Sequence, residues 1–150
     1  MNAIPEKPGA EAIRAAVMQR HTEVRHALRE VVRLVSRAGS GNKFWMDELR
    51  ASLQQLTLAV QQQSREQQRL LDPFLQTVDA WGAVRVERLQ KERELEAKLV
   101  QSACDQSEAL ADAARAIVRP LIRLLRREER EALAADVLRD DAIVINQQDG

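Results

Sequence analysis

A chain of 150 residues, 45% apolar and 31% charged, is long enough for one domain with a proper core and too short for two comfortable ones. Basic and acidic residues balance at 23 each, which excludes a whole-molecule field drawing the chain to nucleic acid, an anionic membrane or a cationic partner and leaves only local patches. No apolar run approaches the roughly 20 residues that cross a bilayer, the polar start from Met1 to Glu11 lacks the apolar middle of a secretion signal, and the single Cys104 makes no internal disulfide, so a cytoplasmic protein without membrane association is expected.

In chain order, Met1 to Ala10, with Pro5, Pro8 and Gly9, reads as a flexible leader. Ile13, Val17, His21, Val24, Leu28, Val31 and Val35 then recur at fours and threes, predicting a helix from about Glu11 to Arg37 that Gly39, Ser40 and Gly41 end. A second helix is predicted from Phe44 or Trp45 to Leu71, with Leu49, Leu53, Leu56, Val60, Leu70 and Phe74 on its apolar stripe. Pro73 is expected to stop it, leaving Phe74 to Trp81 as a connector closed by Gly82. The third helix runs from about Ala83 to Ala103 with Val86, Leu89, Leu95, Leu99 and Ala103 inward. Asp105 and Glu108 resemble a capping box that separates it from a fourth helix, Ser107 to Asp136. That helix presents Leu110, Ala114, Ile117, Leu121, Leu124 and Glu128 inward, and Pro120 is expected to kink or divide it. With residues 140–150 as a tail, residues 11–139 form an all-α, up-down-up-down four-helix bundle.

Polar residues interrupt the apolar stripes at matching heights. His21 on the first helix, Gln63 and Gln67 on the second, Glu92 on the third and Glu128 on the fourth all fall roughly 8–16 Å from one end of the bundle at helical rise. A buried primary amide has four hydrogen-bonding sites to satisfy. Two such amides on one helix therefore ask for partners on the others, and bundles build cofactor and metal sites from this kind of layer.

At this layer the chain resembles the hemerythrin-like, HHE cation-binding family, a four-helix bundle holding two non-haem irons through histidines and carboxylates. His21 followed by Val24 and Leu28 is similar to the family's first histidine pattern, and Leu71-Asp72-Pro73-Phe74-Leu75 to the segment after its His-x-x-x-Glu pair, which falls here on Gln63 and Gln67. Lys91-Glu92 with Leu95 and Leu99 resembles the Glu-His pattern, with Glu92 in the histidine's place. Glu128-Glu129 resembles the Glu-Glu pair, and the preceding histidine falls on Leu124. The resemblance implies the fold over Ile13 to Asp136. It also implies that Gln63, Gln67 and Leu124 replace expected ligands, leaving His21, Glu92 and Glu128 as the candidate metal residues.

Three uses of the layer follow. The first in rank is a metal-free hydrogen-bonded core layer, with no cofactor, in a binding or regulatory module that meets a protein partner or a small ligand and is not an enzyme. The alternative is an unusual iron-binding relative handling oxygen, nitric oxide or iron through His21, Glu92 and Glu128, with Glu66 or Glu96 swinging in. A third is a proton or small-ligand sensor in which His21 charges against the glutamates. Outside the layer, Arg25, Arg29, Arg33 and Arg37 on the first helix and Arg115, Arg119, Arg123 and Arg127 on the fourth form rows open to an anionic partner. Acidic neighbours at helical spacing and the lack of interleaved aromatics argue against nucleic acid. Cys104 reads as an unreactive thiol, His26 as a surface residue, and Trp45 and Trp81 as covers over the core ends.

Overall fold

The computed structural model describes residues 8–37, 43–105 and 110–140. Spacing at threes and fours builds α1 (Ala10–Val35), whose buried positions include Ile13, Val17, His21, Val24, Leu28 and Val31. Ala10, expected in the leader, is the first residue of this helix and is buried. Its N–H donates to Asp140 Oδ1 at 2.9 Å, so the start of the expected tail docks on the start of the first helix. Gly39, Ser40, Gly41, Ser107 and Glu108, the residues expected to end one helix and begin another, lie outside the described residues.

Pro73 does not stop the second helix. The α2 helix (Lys43–Glu66) passes into one wider π-helical turn at Gln67–Leu71 and continues as α3 (Asp72–Val78). The Asp72 N–H reaches back five residues to Gln67 O, and Pro73 falls in the first turn of α3, just after this widening of the ladder. A π turn inserts one residue into the helical repeat. The buried set accordingly slips by one position, to Leu71 and Leu75, while Leu70 and Phe74 are only half-buried.

Asp79 then closes a short turn, accepting the Trp81 N–H at 2.8 Å and the Arg85 guanidinium at 2.6 Å. Trp81, expected to cover the core, is 65% exposed. At Gly82 the next helix begins so close to the end of α3 that a Cβ there would meet Leu75 O at 2.0 Å, so this crossing requires glycine.

The α4 helix (Gly82–Cys104) buries Val86, Leu89, Val100 and Ala103, but between them it buries Glu92, Arg93 and Glu96. Leu95, expected inward, is 51% exposed, because the buried face lies one position further on at Glu96. The α5 helix (Leu110–Glu131) continues through Pro120 undivided, carried by the buried Ile117, Leu121, Leu124 and Leu125. It ends short of Asp136. Residues 132–140 are irregular, yet Ala132, Leu133 and Leu138 are buried, and Arg14 fastens the segment by donating to Leu133 O at 2.7 Å and Leu138 O at 2.6 Å.

The α1 helix packs on α2 and α5, and α4 packs on α2, α3 and α5. Among the described residues there is no strand, and the arrangement is compatible with a helical bundle. No described helix is long and apolar enough to cross a membrane. Its core comes in two parts. Val24, Leu28, Leu53, Leu56, Val100, Leu121 and their neighbours form one cluster; Ala10, Ile13, Val17, Leu71, Leu75, Leu89 and Leu133 belong to the other.

Candidate functional site

The polar residues lie in sequence between those two clusters on every long helix. His21 falls between Val17 and Val24, Gln63 and Gln67 between Val60 and Leu71, Glu92, Arg93 and Glu96 between Leu89 and Val100, and Glu128 between Leu125 and Ala132. All five residues expected to meet there are buried: His21, Gln63, Gln67, Glu92 and Glu128. Leu124, at the expected histidine position, is buried as well.

His21 is the centre of one half of the layer. Its Nε2 stands 3.0 Å from Glu128 Oε2 and its Nδ1 3.2 Å from Glu129 Oε1. Each ring nitrogen thus has a carboxylate within hydrogen-bonding distance. Glu129 is held in turn by Arg25 at 2.6 Å. Burial pushes the Glu129 carboxyl up, but Arg25 and His21 bring it below the ordinary range.

The other half is organised by Arg93, which sequence reasoning missed. Buried on α4, it forms a two-armed pair with Asp72, Nη1 to Oδ1 at 3.0 Å and Nη2 to Oδ2 at 2.6 Å. The same Nη1 donates to Gln67 Oε1 at 3.1 Å. A guanidinium only donates, so this contact fixes which end of the Gln67 amide is oxygen. The amide nitrogen must therefore face the other way, where it donates to Glu128 Oε2 at 3.1 Å. Gln63 donates to Glu96 Oε2 at 2.9 Å.

Three carboxyl groups in this space cannot all ionise cheaply. Burial, together with the neighbouring Glu128 and Glu131, pushes Glu92 up to about 7 against the partial relief of Arg127 and Arg88. Glu96 is held far above the usual carboxylate range by burial and by its hydrogen bond and like charge with Glu128. Burial acts upward on Glu128 too, but hydrogen bonds with Glu96, His21 and Gln67 and the His21 charge hold it below its ordinary value. Two ionised carboxylates have no proton to put between them. Displaced in opposite directions, the two groups favour the neutral acid on Glu96 and the carboxylate on Glu128.

A pair of irons does not fit this donor set as it is arranged. Gln67 turns N–H donors toward Glu128, Arg93 brings a cation into the layer, and both nitrogens of His21 are engaged by carboxylates. Among the described residues no group of three or more His, Cys, Asp or Glu is disposed to hold a metal ion. Of the two glutamates considered as additional ligands, Glu96 belongs to the layer, whereas Glu66 pairs with the exposed Arg69 at 3.2 Å. Comparison of the chain with family models, with curated proteins and with solved structures finds no match.

Away from the layer, the arginine rows separate. Arg33 pairs with Glu30, Arg115 with Asp112 at 3.3 Å, and Arg127 turns toward Glu92 at 3.8 Å. Cys104 is half-buried, with Thr57 Oγ1 at 3.4 Å from its sulfur. His26 is exposed. Trp45 is half-buried, and its indole donates to Leu34 O.

Proposed function

We propose that the chain is a hemerythrin-like, up-down-up-down helical-bundle module with a binding or regulatory role, in which a hydrogen-bonded polar layer stands where the family it resembles holds its irons. The observation that carries this is the Gln67 amide. Anchored by Arg93, it offers hydrogen-bond donors to Glu128, and donors repel a cation where ligands would attract one. Arg93 supplies by a fixed guanidinium the positive charge that a metal would otherwise bring. On this reading the layer has no catalytic part, and the module acts through a protein partner or a small ligand.

One feature favours the alternative of an unusual iron-binding relative. Gln63 Oε1, Glu92 Oε1, Glu96 Oε1 and Glu128 Oε1 are buried acceptors without hydrogen-bond partners, and a hard cation would satisfy oxygens of that kind. Under this alternative His21, Glu92 and Glu128 are the ligands. Elemental analysis of protein produced with iron supplied distinguishes the two. The proposal expects only trace iron, unchanged in His21→Ala. Stoichiometric iron with a visible absorbance that disappears in His21→Ala would replace it with the alternative.

A further inference from the structure

The α1–α5 side of the molecule carries an uncompensated basic groove. Two adjoining hollows of about 600 Å³ and 270 Å³ share Ile122 and Arg126. The larger is lined by Arg119, Arg123, Arg126 and Arg130 from α5, the smaller by Arg25 and Arg29 from α1. Among the described residues, Arg29, Arg119, Arg123, Arg126 and Arg130 form no ion pair of the kind that neutralises Arg33 and Arg115. Glu129, the one acid lining either hollow, is itself engaged by Arg25 and His21. In a chain of zero net charge this is a strong local concentration of one sign.

The floor between the two arginine sets is apolar. Val32 is 43% exposed, Ile122 is half-buried, and both line the smaller hollow. From Arg119 to Arg130 the groove extends about 16 Å at helical rise, three turns of a helix. Guanidinium groups on both sides of an apolar strip match one shape of ligand in particular: a helix with a leucine-type stripe flanked by carboxylates. A sugar-phosphate backbone would satisfy the arginines but leave Val32 and Ile122 against charge, and no aromatic lines either hollow to stack a base.

We propose that this groove docks an acidic amphipathic helix from a partner protein. The proposal builds on the reading of the chain as a binding module, and its test does not involve the buried layer, so either can fail without the other. A labelled synthetic helix of about 14 residues, with leucines at threes and fours between glutamates, is titrated with the full chain by fluorescence anisotropy at low and at moderate salt. Saturable binding is expected, weakening with salt. It is expected to weaken about tenfold or more in Arg123→Glu/Arg126→Glu and several-fold in the exposed variant Val32→Asp. A scrambled peptide of the same charge, with no apolar stripe, is expected to bind about tenfold more weakly.

Circular dichroism melts confirm that the variants stay folded, and the milder Val32→Ser serves if Val32→Asp does not. The proposal is overturned by absence of binding at low salt, by equal binding of the scrambled peptide, or by indifference to Val32. Tighter binding of a single-stranded oligonucleotide that ignores Val32 would overturn it in favour of a nucleic-acid surface.

Discussion

Arg93→Ala is expected to destabilise the protein by roughly 3–5 kcal/mol, one of the largest single-site losses in the molecule. The guanidinium is almost wholly buried and answers two acceptors at once, the Asp72 carboxylate and the Gln67 carbonyl. Removing it leaves a buried negative charge without a partner and frees the Gln67 amide to turn. For a domain of this size the loss corresponds to a fall in Tm of about 6–20 °C. Arg93→Lys is expected to restore little of it, since an ammonium cannot span both oxygens of Asp72 and reach Gln67 as well. Arg93→Met combined with Asp72→Leu is expected to recover part of the loss, because the unpaired charge goes with its partner. Urea unfolding of the three variants measures this. An Arg93→Ala unfolding free energy within about 0.5 kcal/mol of the parent would mean that the pair carries no net weight.

The second large effect is a dependence of stability on pH. The ordinary value for a glutamate is 4.5, and Glu92 in the fold stands at about 7. The fold therefore favours the neutral acid: the contribution is complete below about 4.5 and is lost as pH rises through about 7. Glu96 is displaced in the same direction, so its contribution extends the decline to more alkaline pH. Glu128, displaced downward, has the opposite sign; its contribution is present above about 4.5 and is lost as the solution becomes more acid. Together they place the stability maximum of this layer in mildly acid solution. Glu92→Gln imitates the neutral acid, so it is expected to leave stability near pH 4.5 unchanged and to raise it by about 1–2 kcal/mol near pH 8. That is less than the full displacement implies, because Glu92 borders a cleft of about 210 Å³ with Arg88 and Arg130, where water screens the charge. Thermal melts of both proteins across this range check it. A variant that is equal to or weaker than the parent near pH 8 would contradict the displaced Glu92.

Why Arg93 was missed while His21 and Glu128 were found shows what the sequence can express. His21 and Glu128 sit on strongly patterned stripes, where a polar residue among valines and leucines stands out against the helical repeat. Arg93 and Glu96 lie on α4 within a run of alternating charge, Lys91 to Glu96, where two competing phases both contain leucines. Hydrophobicity placed Leu95 inside; hydrogen bonding placed Glu96 there, because Gln63 and Glu128 offered it partners. Pairing across helices is a tertiary fact that no spacing within one helix encodes. Asp72 lies off the apolar stripe that spacing alone gives the second helix, and its burial follows the π turn.

That same turn explains the misplaced end of the second helix. A proline reads as a stop because its ring blocks the helical ladder. Here the ladder widens just before it, and the fold continues to Val78. Leu71 and Leu75 replace Leu70 and Phe74 in the core as a consequence. The docking of residues 132–140 on α1 was unreadable for a related reason: Arg14, an ordinary surface arginine by its spacing, is the donor that holds two of that segment's carbonyls.

The central claim is that Glu96 is a neutral acid beside an ionised Glu128. Carbon-13 NMR titration of the glutamate side-chain carboxyls, assigned with Glu96→Gln, tests it most directly. Glu96 is expected to remain a neutral acid throughout the neutral range while Glu128 stays ionised. A Glu96 carboxyl that titrates near 4.5, as a solvated glutamate does, would contradict the account.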